Sequence, residues 1–305
     1  MRNVIILGGD ERFYYFAKVL ASNKCSVTTY GVCRGEELSG EAVKVCTEYE
    51  NCNISGADYL VLPIPVTTDG KTISTNNGVE KIKIMKLAQD LRQGQTVLGG
   101  IIPPELRAAC EEKKVRIIDF MKLGTIAEKN AVATAEGAMA EAIIASPINI
   151  QGSEILVIGF GKCGRVMAEK LKKVGGDVTV MARREEVRKE AEMLGLKSSP
   201  MFGQCGNECG KFDFVFNTVP AMVLSESVIS QMSSDTLIID IASKPGGTDF
   251  EAAKRYGIRA KLALGLPGIY TTSSSARLLK NAISQYAPLR ENVRGDKQWI
   301  FQIII

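Results

Sequence analysis

The stretch Ile155-Leu156-Val157-Ile158-Gly159-Phe160-Gly161-Lys162-Cys163-Gly164 decides the fold of this chain. Four apolar residues of strand length end at a glycine, the glycines fall at G-x-G-x-x-G spacing, and the helical run Val166 to Val174 comes next. In that context each glycine has a task. Gly159 permits a tight turn, Gly161 lets the backbone approach a pyrophosphate, and Gly164 lets the helix sit close to the strand, while the first helical turn offers N–H groups to an anion. The plain alternative is a glycine-rich turn that binds nothing. A dinucleotide is expected on Gly159, Phe160, Gly161, Lys162, Cys163 and Gly164.

The next strand, Asp177 to Met181, should end beside the adenosine ribose. An NAD site usually places a carboxylate there, about 20 residues past the fingerprint. This chain has Ala182-Arg183-Arg184 instead, and two guanidiniums suit a ribose 2′-phosphate. The cofactor expected is therefore NADP, with NAD possible. Arg184 to Glu190 also reads as a solvated helix face, Glu185 and Lys189 being four apart, and the two readings are compatible because Arg183 precedes that helix. Further strands are expected at Asp213 to Asn217, Thr236 to Ile241 and Ile258 to Leu262. The segments Asn217-Thr218-Val219-Pro220 and Asp240 to Gly247 leave strand ends, where open α/β sheets bind ligands, and are expected to face the nicotinamide. Gly265-Leu266-Pro267-Gly268 closes the last strand as a ligand loop or as a plain turn.

Toward the N-terminus the same alternation recurs. Val4 to Leu7 stops at Gly8-Gly9-Asp10, after which Phe13, Phe16, Ala17 and Leu20 repeat at helical spacing. Strands are expected at Ser26 to Tyr30, Asp58 to Leu62, Thr96 to Ile101 and Val115 to Phe120, with helices near Val79 to Leu91 and from Pro103-Pro104. The third glycine of a fingerprint is missing here, so no second dinucleotide is expected. The alanine-rich segment Thr134 to Ser146, halted by Pro147, reads as a bridging helix. Ala276, Leu279, Ile283 and Tyr286 mark the buried face of a last helix, capped by Ser273 to Ser275, that returns to the first half. The fold class is thus α/β, two doubly wound (Rossmann-like) domains with a cleft between them, bridged by helices. Residues 1–130, completed by a helix at 273–290, form the substrate side; 131–272 form the NADP-binding domain; 291–305 fit no clear element.

Composition narrows the chemistry. With 305 residues, 45% hydrophobic and 24% charged, two domains are expected and disorder is excluded. Lysine and arginine number 38 against 34 acids, a scattered net +4 that does not make a nucleic-acid surface. No apolar run approaches a membrane span of about 20 residues, and the start is a strand rather than a signal peptide, so a cytoplasmic protein is expected. The eight cysteines are irregularly spaced, Cys205 and Cys209 lack a second pair, and reduced thiols are expected. Histidine is absent, which removes Ser-His-Asp and Cys-His catalysis and histidine-ligated metals, and no metal is expected. Arg12, Thr67, Thr68 and Lys71 are polar groups on presumptive strand-end loops of the first half, suited to a small anionic substrate or to nothing more than solvent.

Gly8-Gly9-Asp10-Glu11-Arg12, Thr134-Ala135-Glu136-Gly137, Gly159 to Gly164, Asn217 to Pro220, Asp240 to Asp249 and Gly265 to Gly268 together make the chain resemble the dipicolinate synthase A subunit, to about Tyr286. Ser243-Lys244-Pro245-Gly246-Gly247-Thr248-Asp249-Phe250 is the most specific part. The resemblance implies oxidation of a dihydrodipicolinate to pyridine-2,6-dicarboxylate with NAD(P) in endospore formation, beside a flavoprotein-like dipicolinate synthase B subunit, the product accumulating as a calcium salt. The cysteine-rich region Gly203 to Gly210 and the tail Glu291 to Ile305 depart from the pattern. Dehydrogenating a dihydropyridine needs a hydride acceptor, a base of modest strength and donors for two carboxylates, and no histidine. Glu136, read as lying at the start of the bridging helix, is the candidate base, or else an acid that complements the helix dipole. Lys244 is the second candidate catalytic group, and Ser243 joins Arg12, Thr67 and Thr68 as a candidate substrate ligand. A homo-oligomer is expected. Two alternatives stay open: an oxidoreductase like alanine or shikimate dehydrogenase, and a catalytically silent NADP-binding protein that regulates or scaffolds a partner.

Overall fold

The computed structural model describes residues 2–40, 42–76, 78–202 and 209–287; the tail 291–305 and most of 203–210 lie outside them. The chain divides into two compact units, Met1–Lys122 together with the chain from Ala276, and Leu123–Ser275.

The first unit is a six-stranded parallel sheet in the order β3-β2-β1-β4-β5-β6, formed by β1 (Asn3–Leu7), β2 (Ser26–Tyr30), β3 (Val43–Cys46), β4 (Tyr59–Val61), β5 (Thr96–Gly99) and β6 (Arg116–Asp119). The central strand β1 reads Val-Ile-Ile-Leu because a parallel strand is buried on both faces; Val4 lies opposite Val27 on one side and Tyr59 on the other. Helix α1 (Glu11–Ser22) buries Phe13, Phe16, Ala17 and Leu20 completely, as their spacing predicts. Helices α2 (Ile84–Asp90) and α3 (Pro104–Glu112) complete the wrapping, α2 beginning five residues later than the periodicity suggests.

Helix α4 (Gly124–Ala145) opens the second unit. It is 22 residues long and starts ten residues before the alanine-rich segment, because Lys129 and Asn130 are tolerated on its solvent face. A second sheet, β12-β11-β10-β7-β8-β9, is built from β7 (Glu154–Ile158), β8 (Asp177–Met181), β9 (Lys197–Ser199), β10 (Phe214–Asn217), β11 (Leu237–Asp240) and β12 (Arg259–Leu262). Helices α5 (Lys162–Lys173), α6 (Glu185–Met193), α7 (Glu226–Ile229) and α8 (Phe250–Arg255) connect them, and α9 (Thr272–Tyr286) ends the described chain. Numbered within its own unit, each sheet has the strand order 3-2-1-4-5-6, so both units are Rossmann-like, with the order reversing between β1 and β4 and between β7 and β10. Among the described residues no helix is long and apolar enough to cross a membrane, and no cluster of three or more metal-ligating side chains occurs.

Candidate functional site

In the second unit β7 ends at the reversal point and passes into a turn whose glycines differ in kind. Gly159 adopts φ +92°, and a Cβ there would lie 2.5 Å from the Thr218 hydroxyl. A Cβ on Gly164 would stand 2.2 Å from the Gly159 carbonyl oxygen, so helix and strand could not close. Gly161 has an ordinary φ of −76° and nothing within 4 Å of its would-be Cβ. The first and third glycines are thus demanded by the fold, and the second leaves open space. Gly161 is the N-cap of α5 and offers no side chain; no acid occupies the first turn, so the helix N-terminus keeps its N–H groups for an external anion. Phe160 packs against the core and Lys162 is exposed. Burial pushes the Cys163 thiol up, which leaves it a neutral packing group.

Across the reversal point Thr218 ties β10 to β7, its amide and hydroxyl both donating to the Ile158 carbonyl at 3.0 and 2.9 Å. The fully buried Asn217 spends its amide on the same loop, accepting from Val219 N at 3.0 Å and donating to Val219 O at 3.1 Å. Val219 and the exposed Pro220 form the lip above it. Arg183 and Arg184, at the end of β8, are exposed, and neither side chain has a hydrogen bond or ion pair among the described residues. Arg188, which no spacing in the sequence singles out, donates to the carbonyls of Ala182 and Arg183 at 3.0 Å each and so fixes the backbone that carries the pair. Uncapped N–H groups, open space at Gly161 and two guanidiniums unpaired among the described residues fit a nicotinamide dinucleotide.

The loop after β11 is organised by a second residue that sequence alone does not single out. Asp240 is fully buried and accepts from Ala242 N at 2.8 Å, Gly247 N at 3.2 Å and the Thr248 hydroxyl at 2.6 Å. Gly247 is pressed against the neighbouring loop: a Cβ there would lie 2.2 Å from the Asn217 amide nitrogen. Ser243 and Lys244, held out on this frame, are exposed with no side-chain partner among the described residues, and the Lys244–Pro245 peptide is cis. The turn Gly265 to Gly268 has a packing role: Leu266 and Pro267 are buried, and Gly137 of α4 approaches so closely that its Cβ would meet Leu266 Cβ at 2.8 Å.

Glu136 is placed differently from the expectation. It lies well inside α4 rather than at a helix start, half exposed, with its carboxylate accepting from Lys170 Nζ at 2.8 Å. Lys170 is eight residues past Lys162, about 12 Å down α5 from the end that would hold a pyrophosphate. Helix dipole complementarity does not explain Glu136 either; it tethers α4 to α5.

In the first unit the corresponding turn is already filled. A Cβ on Gly8 would meet the Ser74 carbonyl oxygen at 2.4 Å and one on Gly9 the Phe13 ring at 2.4 Å, and Asp10 caps α1 by accepting from Arg12 N at 3.1 Å. Arg12 is not on a loop: it sits in the first turn of α1, 3% exposed. Its guanidinium grips Asp10 (2.8 Å from Nε, 2.6 Å from Nη2) and donates to the Ile64 carbonyl at 2.9 Å. Thr67 belongs to a self-contained loop, donating to Asp69 at 3.0 Å and accepting from Gly70 N at 2.9 Å. The Thr72 hydroxyl, then the Thr72 and Lys71 amides, hold the Asp69 carboxyl well below the usual carboxylate range. Thr68 and Lys71 are exposed on that loop, their side chains unpaired among the described residues.

Comparison with known proteins gives this geometry a lineage. Residues 3–121 match the family model of the N-terminal domain of the dipicolinate synthase A subunit, and residues 147–253 match a family model described as NAD(P)-binding. The dipicolinate synthase A subunit of Bacillus subtilis is 29% identical over 288 residues, covering 92% of this chain and 94% of that protein. A solved structure of the dipicolinate synthase A subunit from Bacillus halodurans superposes with a TM-score of 0.80 at 28% identity, covering 93% of this chain and 97% of that one. A transhydrogenase structure from Sinorhizobium meliloti shares the fold, with a TM-score of 0.63 at 16% identity, covering 92% of each chain. Matched at residues 3–121 by the family's N-terminal domain and aligned almost end to end at 28–29% identity, the chain is similar to dipicolinate synthase A subunits.

Proposed function

We propose that this protein oxidises a dihydrodipicolinate to pyridine-2,6-dicarboxylate with NADP as acceptor. The observation that carries the reading is the cradle of α5, uncapped and open at Gly161, together with two arginines at the end of β8 that are unpaired among the described residues. When bound, the dinucleotide supplies a hydride acceptor. The chain's own residues do the rest: the α5 amides hold the pyrophosphate, Arg183 and Arg184 hold the 2′-phosphate, and Thr218 keeps the β7 and β10 ends in register beneath it. One hydride and one proton leave the dihydropyridine, and aromatisation drives the loss, so the proton passes to water without a strong base. Lys244 and Ser243, on the Asp240-braced loop, supply a cation and a donor for a carboxylate developing no new charge. Thr68 and Lys71, exposed and without a side-chain partner among the described residues, are what the first unit's own loop offers an anion. Arg12 acts behind Asp10, and Thr67 through the loop that it closes. The family's name implies a companion polypeptide, and a silent cofactor-binding role beside it is the rival reading.

The deciding measurement incubates the purified chain with dihydrodipicolinate and NADP, with and without the flavoprotein-like B subunit, and follows pyridine dicarboxylate absorbance. Product formed by the chain alone is expected. NADPH and product appearing only with the partner would replace this reading with the regulatory one.

A further inference from the structure

One residue at the carboxyl rim of the first sheet combines strain with exposure. Ile101, two residues past β5, has φ +55°, and among the described residues it is the one β-branched side chain with positive φ. That conformation is a genuine outlier for a residue branched at Cβ, and it persists only where the surroundings impose it. Here they do. The Asp119 carboxylate at the end of β6 accepts from Ile101 N at 3.2 Å and Ile102 N at 3.3 Å, and is itself fixed by Met121 N at 3.1 Å and Arg107 at 3.4 Å. Gly99 and Gly100 are pressed onto the loop after β4, their would-be Cβ atoms 2.8 Å from Val66 and 2.7 Å from Ile64.

The bracing seats Ile102 and Val66 in the core and leaves Ile101 outside it. Ile101 is 60% exposed, while Ile102 beside it is 6% exposed. For stability alone, glycine or asparagine would satisfy the left-handed position without strain. Ile64, against which Gly100 packs, is also the residue whose carbonyl takes the Arg12 guanidinium, so the isoleucine stands on the rim beside the reversal point where open α/β sheets bind ligands.

We propose that Ile101 is a specificity-determining residue, an aliphatic platform held out to pack against the face of a flat, unsaturated ring carrying carboxylates; this rests on the functional reading above. A branched aliphatic surface gains by contact with a planar π face, and a puckered saturated ring reaches less of it. The test is binding rather than turnover: calorimetric titration of pyridine-2,6-dicarboxylate and of piperidine-2,6-dicarboxylate into wild type, Ile101→Gly, Ile101→Asn and Ile101→Leu, with thermal melts of each. Wild type is expected to prefer the aromatic ligand about tenfold, the worth of roughly 50 Å² of apolar contact. Glycine and asparagine should abolish the preference while raising or keeping the melting temperature, and leucine should restore it. Unchanged preference in the glycine and asparagine variants would overturn the assignment of Ile101 alone. Wild type that binds NADP but neither dicarboxylate would overturn the functional reading, and this inference with it.

Discussion

A single methyl group distinguishes the glycines of the second unit. Gly161→Val should abolish dinucleotide binding and leave the circular dichroism spectrum and melting temperature nearly unchanged, because the side chain enters open space at an ordinary φ. Gly164→Val should instead cost about 2–3 kcal/mol by overpacking against the Gly159 carbonyl, visible in denaturant melts without any ligand. Arg183→Asp should weaken NADP by about 2–4 kcal/mol and NAD far less, read by titrating both cofactors; equal affinities in the wild type would remove the arginine assignment. The lowered pKa of Asp69 fixes another sign. Its hydrogen bonds contribute fully above the ordinary carboxylate value of about 3.9 and fade only as pH falls through the lower folded value, so Thr72→Val should move the carboxyl titration, followed by NMR, back toward the ordinary value. At this scale the fingerprint was legible because its spacing is set by covalent geometry. Asp240 and Arg188 were not, since a lone aspartate or arginine acquires its role only from the amides and carbonyls that the fold brings to it.

Elements were legible where burial dictates composition. The central strands β1, β7 and β11 read as unbroken apolar runs and sit where expected. The edge strands β3 and β9 escaped, Lys197-Ser198-Ser199 above all, because a short edge strand buries little and so leaves no apolar signature. Helix α4 was half legible: Ala131, Ala135, Ala138 and Ala142 are buried, but Thr125, Glu128, Lys129 and Asn130 interrupt its first turns, and the misplaced start turned Glu136 into a terminal acid. The charge on α4 that matters to the element is Glu141, 6% exposed, which is gripped by Lys261 of β12. Lys261 is half exposed, so solvent discounts the pair. Lys261→Met should nonetheless lower the denaturant midpoint, since it removes the cation that faces a buried carboxylate, and Lys261→Met with Glu141→Gln should recover most of the loss. Glu136→Gln, which removes an exposed tether, should change stability by less than about 1 kcal/mol and leave turnover intact.

For the whole molecule, the two units share a strand order and differ in what fills the first turn. NADP at about 100 times its Kd should stabilise Leu123–Ser275 by about 2.7 kcal/mol. Hydrogen exchange should show that gain in peptides from β7 to β11 and none in β1 or α1; protection arising equally in β1 and α1 would contradict the single-site reading. The sequence shows both halves as doubly wound, and the missing third glycine is the lesser part of what sets the first unit's turn apart. The greater part is Asp10, a carboxylate seated on α1 and clamped by Arg12 where a diphosphate would otherwise rest. That half therefore carries its anion in its own covalent chain, at a concentration no metabolic change can dilute.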